Sequence, residues 1–427
     1  MGPAPAHLTG RAGARIRPED PSTQLQFANG QRLGQDRRGN VRVLITTTPG
    51  TGHIMPMVPV AQALQHRGHD VVWATGPDAQ HLVANAGLSA AVAGLAVAPR
   101  NARFRELRPD LGSLPPRQRR GALFPTMFAT LAARPMYDDL LRLVSGRRPD
   151  LIIHEPCELA AAPLARSLGV PAANLAFGRL FDDELLASAA ADAELARVWA
   201  DAGHETPVDL GFYDGPYLHP LPPSMEDAPP DRTLQLARPT CYDGSPDPTG
   251  PPETIDRSRP SVYVTFGTEF GPMAPWSAVV EALAALDADA LLTVGGQVDP
   301  ASLGPLPTGV QVERWVPQRL ALARSDVVVS HGGSGAMLGA AAAGLPHLAL
   351  PIAADQFDNA DMISRHGSGA MLEPADVEPQ RIAAGILRLL SHDDSLVDAA
   401  RIAAEIAAMP SLDEAAAQLE RSVEQQA

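Results

Sequence analysis

The sequence predicts an α/β protein made of two Rossmann-like, doubly wound domains whose strand ends face each other across a central cleft. Three observations carry this expectation. Short apolar runs alternate with helical patterns along most of the chain, the signature of parallel sheets covered by helices. The alternation occurs twice, separated by YDGSPDPTGPPETIDRSRP from Tyr242 to Pro260, which is almost pure linker. At 427 residues the chain is also longer than a single core usually grows, so two domains are expected.

Residues 1–40 are rich in Gly, Pro, Arg and Gln, without periodicity or an apolar export segment, and are read as a disordered tail. Order begins at Val41 to Ile45, short enough for a buried parallel strand. A helical pattern from Pro56 to Arg67 ends at Gly68, a C-cap residue. HDVVWATG is the next strand, PDLIIHE another, CELAAAPLARSLG a helix and VPAANLAF a further strand. The proline-rich stretch from Phe181 to Pro230 reads as an irregular cleft wall. Strands resume at SVYVTFGT, DALLTVGG, VQVERW, DVVVSHGG and PHLALPI, and the tail from Leu412 is an amphipathic helix. The expected division is a tail (1–40), a first domain (41–241), a linker (242–260), a second domain (261–410) and a terminal helix (411–427).

Composition narrows the function classes. Hydrophobic residues make up 45% of the chain, but no uncharged apolar run is long enough to cross a membrane. A net charge of -15 argues against nucleic-acid binding, which needs a basic surface. None of the 34 basic residues is lysine, which excludes a Schiff-base lysine, a Walker P-loop and pyridoxal phosphate anchoring. The two cysteines, Cys157 and Cys241, lie outside any zinc or disulfide spacing. With no secretory segment either, a reducing cytoplasm is the expected compartment.

Two stretches concentrate chemistry. From Asp326 an apolar strand runs to Ser330, passes through His331 and the cluster Gly332, Gly333, Ser334 and Gly335, and enters a helix. Such a turn aims free backbone N–H groups at an anion. In PGTGHIMP, His53 ends a glycine turn after the first strand, where it projects from a helix N-terminus toward the cleft. Imidazole is the side chain best suited to move protons near neutral pH, although a lone turn histidine is more often structural. A base needs an orienting carboxylate, and Glu155, just past PDLIIH, is placed to serve; otherwise it is a cleft-edge carboxylate with no role. His154 alternates to the other face of the strand.

The HGG box after a buried strand, followed some twenty residues later by P…ADQ, resembles the donor-binding box of UGT-type nucleotide-sugar-dependent glycosyltransferases. PGTGHIMP is similar to their GHxxP segment. The resemblance covers roughly residues 41–410 and lies nearest to the bacterial natural-product branch. It implies the GT-B fold, with the last helix crossing back to the first domain, and a transfer to a hydroxyl of a hydrophobic small-molecule aglycone. By it His53 is the general base, and Trp315, followed by Val316, Pro317 and Gln318, stacks on the nucleotide base, with Gln318 near base or ribose. His331 and the N–H groups of Gly333, Ser334 and Gly335 hold the leaving diphosphate, with His331 most effective as an imidazolium. Gly267 and Thr268 in TFGT face the same phosphates, and Asp355 with Gln356 brackets sugar hydroxyls. The plain alternatives are a core role for Trp315, a turn role for Thr268 and solvated positions for the Asp-Gln pair.

Two positions depart from the family pattern. Plant members carry a Glu eight residues after the box histidine for the ribose 2'-hydroxyl; this chain has Gly339. Its donor is therefore expected to be a dTDP-deoxysugar in preference to a UDP-sugar. Ala336 replaces a phosphate-binding hydroxyl for which Ser334 is the local substitute. With no DxD motif or carboxylate cluster, an inverting displacement without metal or other cofactor is expected. A homodimer is left open.

The competing readings are a dinucleotide-dependent oxidoreductase and an inactive auxiliary protein. Pro56, where a third glycine is needed, and the lack of an acidic residue after HDVVWATG oppose the first. Retention of His53, His331 and the Asp-Gln pair opposes the second. A lipid-linked acceptor would call for a basic amphipathic face, which the sequence lacks.

Overall fold

In the computed structural model the described residues are 40–226, 234–240, 242, 244 and 259–425. The expected tail, apart from Asn40, and most of the expected linker lie outside them. The first sheet has seven parallel strands in the order β3-β2-β1-β4-β5-β6-β7. They are β1 (Arg42–Thr46), β2 (Asp70–Thr75), β3 (Ser89–Val92), β4 (Leu151–His154), β5 (Ala172–Leu175), β6 (Tyr217–His219) and β7 (Leu234–Leu236). The second has six, β10-β9-β8-β11-β12-β13, again parallel. These are β8 (Ser261–Thr265), β9 (Asp289–Thr293), β10 (Val310–Glu313), β11 (Val327–Ser330), β12 (His347–Ala349) and β13 (Gly369–Met371).

The central strands read as continuous apolar runs because both faces are covered. β11 is buried along its whole length, and Val43 and Ile45 of β1 face one apolar cluster while Leu44 faces another. In both sheets the order turns back beside the first strand, β1 next to β4 and β8 next to β11. Strand carboxyl ends diverge there and leave a crevice. His53 and Glu155 follow β1 and β4; Gly267 and His331 follow β8 and β11. The topology thus puts both functional stretches at the switch points.

The reading of residues 181–230 as irregular is corrected. Helices Asp183–Ala190 and Ala193–Asp201 occupy much of it, each started by an aspartate. Asp182 accepts from Leu185 N–H at 2.7 Å, and Asp192 accepts from Glu194 and Leu195 N–H at 2.9 and 3.0 Å. These caps satisfy donors that the first turn cannot pair internally. Strand β6 also falls in this stretch.

The terminal helix Leu412–Glu424 starts with a capping box of Ser411 and Glu414. It buries Ala415, Ala416 and Leu419 in the cluster that holds Val58 and Leu64 of helix Val58–His66. Glu420 accepts from both Arg67 and His69, so the chain end is tied to the first sheet. No helix among the described residues is long and apolar enough to cross a membrane.

Candidate active site

Helix Thr51–Ile54 turns immediately after β1 and presents His53 in its third position, a quarter exposed. Glu155 follows β4 and is fully buried. Its Oε2 lies 3.3 Å from His53 Nδ1, within ion-pair range, but the alignment falls short of a hydrogen bond. Such contacts commonly tighten once substrate binds. Glu155 also accepts from Thr48 N–H (3.1 Å), Thr48 Oγ1 (2.9 Å) and Cys157 N–H (2.6 Å). Burial alone would raise its pKa; the facing His53 and these donors hold it below the usual carboxylate value. His154 is buried on the other side, with its ring centroid 6.1 Å from that of Phe212.

Three residues further on, Glu158 behaves oppositely. It accepts from Thr46 Oγ1 and from the N–H groups of Ala160 and Ala161, yet burial pushes its pKa up to about 7. Two neighbouring carboxylates are thus driven apart, with Glu155 ionised and Glu158 readily protonated.

Aromatic rings that the sequence did not single out surround the histidine. Phe177 and Phe128 lie 5.1 and 6.1 Å from the His53 ring, and Phe124 packs at 5.4 Å on Phe128 and 5.0 Å on Phe181. Phe128 belongs to a π-helical stretch, Pro125–Ala132, inside a longer helical run. Proline cannot donate the backbone bond an α-helix needs at that point, and a widened turn accommodates the loss. Nothing local in the sequence marks that these four rings converge.

Across the cleft, helix Ser334–Ala342 opens at Gly333, whose lack of a side chain leaves the first-turn N–H groups uncapped. A Cβ on Gly333 would stand 2.6 Å from His331 Nε2, and one on Gly267 3.1 Å from His331 Cε1. Both glycines are therefore required for the imidazole to sit between the two loops. His331 is buried, and burial lowers its pKa to about 4, against the opposing charge of Asp355. Of the two forms weighed for it, burial favours the neutral ring at neutral pH.

The Asp-Gln pair divides its work. Ser334 Oγ donates to Asp355 Oδ2 at 2.6 Å, and Asn359 Nδ2 reaches the same oxygen at 3.1 Å and Gly332 O at 2.9 Å. The Ser334 hydroxyl is committed to a carboxylate, so it does not stand in for the one missing at Ala336. Gln356 is 1% exposed, and its Oε1 accepts from Ile352 and Ala353 N–H. Those bonds brace a loop in which Ala354 holds a φ of 56°, a left-handed conformation costly for a residue with a side chain. Asn359, four residues after Asp355 on the same helix face, was not read from the sequence; the i,i+4 spacing is the signal that could have found it.

Trp315 is 57% exposed, which removes the core alternative for it. Val316 packs against the cluster of Tyr263 and Leu322, and Gln318 Nε2 lies 3.4 Å from Gly335 O. Thr268 is exposed, and its carbonyl accepts from Gln297. The structure therefore gathers His331, the glycine turn, Ser334, Asp355 and Gln356 into one unit, with Gln318 at its edge and Trp315 beside it.

The two halves meet closely. Phe177 touches the His53 ring, and its neighbour Gly178 abuts Ser334, where a Cβ would stand 2.2 Å from the hydroxyl. A cavity of about 650 Å³ lies between the sheets, lined by Met55, Phe177, Leu218, Gln318, Gly335 and Gly339. It reaches the glycine turn at Gly335, while His53, Glu155, His331 and Asp355 lie outside its lining.

Two parallel sheets, a carboxylate-backed histidine and an uncapped helix N-terminus face one cleft, and the comparisons with known proteins identify the arrangement as that of a GT-B glycosyltransferase. Family models described as erythromycin biosynthesis protein CIII-like match residues 62–188 with their N-terminal domain and 277–421 with their C-terminal domain. L-demethylnoviosyl transferase from Streptomyces niveus is 32% identical over 363 residues, covering 83% of this chain and 90% of the relative. The chain belongs to this family. The crystal structure of the glycosyltransferase SnogD from Streptomyces nogalater superposes with a TM-score of 0.70 at 31% identity, covering 90% of this chain and 99% of that one. That of the glycosyltransferase VinC in complex with dTDP gives 0.73 at 26%, covering 90% and 100%.

Proposed function

We propose that the protein moves a deoxysugar from a dTDP donor to a hydroxyl of a hydrophobic natural-product aglycone, as a step in antibiotic biosynthesis, with inversion and without a metal ion. The observation that carries the reading is the His53–Glu155 pair facing the Ser334–Ala342 helix N-terminus across one cleft. With Nδ1 turned to Glu155, Nε2 of His53 is left to take the acceptor proton. The acceptor oxygen then forms its bond to the anomeric carbon as the bond to the diphosphate oxygen breaks on the opposite face. The diphosphate leaves against the N–H groups of Gly333, Ser334 and Gly335 and the neutral ring of His331. Asp355 grips the sugar, and Gln356 and Asn359 hold the loop that presents it.

The donor assignment draws support from Gly339. The position presents no carboxylate to grip a 2'-hydroxyl, and a Cβ there, 3.0 Å from Gln318 Nε2 and 3.2 Å from Leu322 Cδ1, would crowd both side chains. The dTDP in VinC is consistent with this. For the acceptor, Phe128 and Phe177 supply an apolar wall beside the base. This reading assigns the acceptor to residues 41–241, the donor to 261–410 and the bridging role to 411–427. The buried free thiol of Cys157 suits a reducing cytoplasm.

The test is turnover of an aglycone panel with dTDP- and UDP-sugars, read by mass spectrometry, with NMR of the product's anomeric proton and a parallel run in excess chelator. Inverted product at undiminished rate in chelator is expected. Retained configuration, or activity lost in chelator and restored by magnesium, would overturn the mechanism.

A further inference from the structure

We propose that His53, Glu155 and Cys157 form a binding site for a thiophilic divalent cation of the zinc or cadmium type, and that its occupation switches the enzyme off. The ligating atoms of the three side chains lie within 4.8 Å of one another. His53 Nδ1 is buried and has no hydrogen-bond partner, and it faces Glu155 Oε2 at 3.3 Å. That separation matches the edge of a tetrahedron with metal–ligand bonds of about 2.0–2.2 Å, for which N···O is roughly 3.3–3.5 Å. Oε1 of Glu155 is occupied by the Thr48 N–H and hydroxyl, whereas Oε2 accepts the Cys157 N–H and keeps a lone pair toward the imidazole. Cys157 is a free, buried thiol.

Binding exchanges cation-bound waters for one nitrogen, one oxygen and one sulfur, with a water from the cleft side keeping the fourth position. The thiol gives up its proton to solvent, and the sulfur binds as thiolate. The imidazole proton moves from Nδ1 to Nε2. Nε2 then carries a hydrogen where the base needs a lone pair, and Glu155 can no longer stabilise a protonated ring. The site itself is independent of the proposed function; the switching rests on His53 being the base.

The probe is cadmium chloride added to the full-length enzyme, with magnesium chloride as a control for chelation by the donor diphosphate. The readouts are the thiolate-to-cadmium charge-transfer absorbance and turnover, in wild type, Cys157→Ser, Cys157→Ala and Cys241→Ser. Expected are absorbance and at least a tenfold loss of turnover in wild type and Cys241→Ser, both reversed by chelator. Both Cys157 variants should lack the absorbance and keep their turnover in cadmium. Absorbance lost in Cys241→Ser but kept in the Cys157 variants, or equal inhibition of wild type and both Cys157 variants, overturns the site. Wild-type absorbance with unchanged turnover overturns the switch and counts against His53 as base. Absence of absorbance overturns the site and leaves the base assignment standing.

Discussion

The Ser334 hydroxyl donates to the Asp355 carboxylate at 2.6 Å, joining the glycine turn after β11 to the loop before helix Gln356–Arg365 across 21 residues of sequence. On the proposed function, this bond orients the carboxylate that grips the sugar and leaves the diphosphate to the backbone N–H groups. Ser334→Ala should raise the KM for the sugar donor about 10- to 150-fold, the roughly 1.5 to 3 kcal/mol expected of a hydrogen bond to a charged group. Free dTDP, which lacks the transferred sugar, should bind as before. Equal weakening of both ligands by calorimetry would place the hydroxyl on the diphosphate instead.

Trp315, three residues before Gln318, is more than half exposed. Trp315→Ala should weaken free dTDP by roughly 1 to 3 kcal/mol, as on other aromatic platforms for bases. Unchanged affinity would deny the indole a part in stacking.

Glu158 makes stability depend on pH in a direction opposite to most carboxylates. Its folded pKa, about 7, lies above the ordinary 4.5, so the protonated form is favoured by folding. Its contribution is fully present below about pH 4.5 and is lost as pH rises through 7, a swing on the order of 3 kcal/mol. Urea unfolding at a series of pH values should show this decline in wild type and a flatter profile between pH 5 and 7 in Glu158→Gln. Superimposable slopes would contradict it.

Arg117 bonds Asp361 and Glu373, and Arg120 bonds Asp358, so a first-half segment grips the helix that begins at Gln356. Half-exposed pairs contribute little to stability, about 1 kcal/mol or less each. Replacing both arginines with Ala should leave urea midpoints nearly unchanged yet lower kcat/KM several-fold and flatten its dependence on salt. A large stability loss with unaltered salt dependence would show the contacts to be structural.

The fold was legible where physics is local. Val43 to Ile45 and Val327 to Val329 are apolar because both faces of a central parallel strand are covered. The strands missed, Ser89–Val92, Tyr217–His219, Leu234–Leu236 and Gly369–Met371, are three or four residues long and lack apolar β-branched runs. The helices after Asp182 and Asp192 were readable from their caps; the prolines that make the stretch look irregular all lie from Pro207 onward, beyond both helices. In the site, His53, Glu155, His331 and Asp355 stand at strand ends, where spacing identifies them. The gathering of Phe124, Phe128, Phe177 and Phe181 is tertiary, and so is the neutrality of His331, which comes from the depth of its burial.

The central claim, that His53 takes the acceptor proton with Glu155 behind it, is tested most directly by the turnover number of His53→Ala at saturating donor and acceptor, with dTDP affinity measured on the same protein. The account predicts a fall on the order of 100- to 10,000-fold with dTDP binding intact. Near-normal turnover would contradict it.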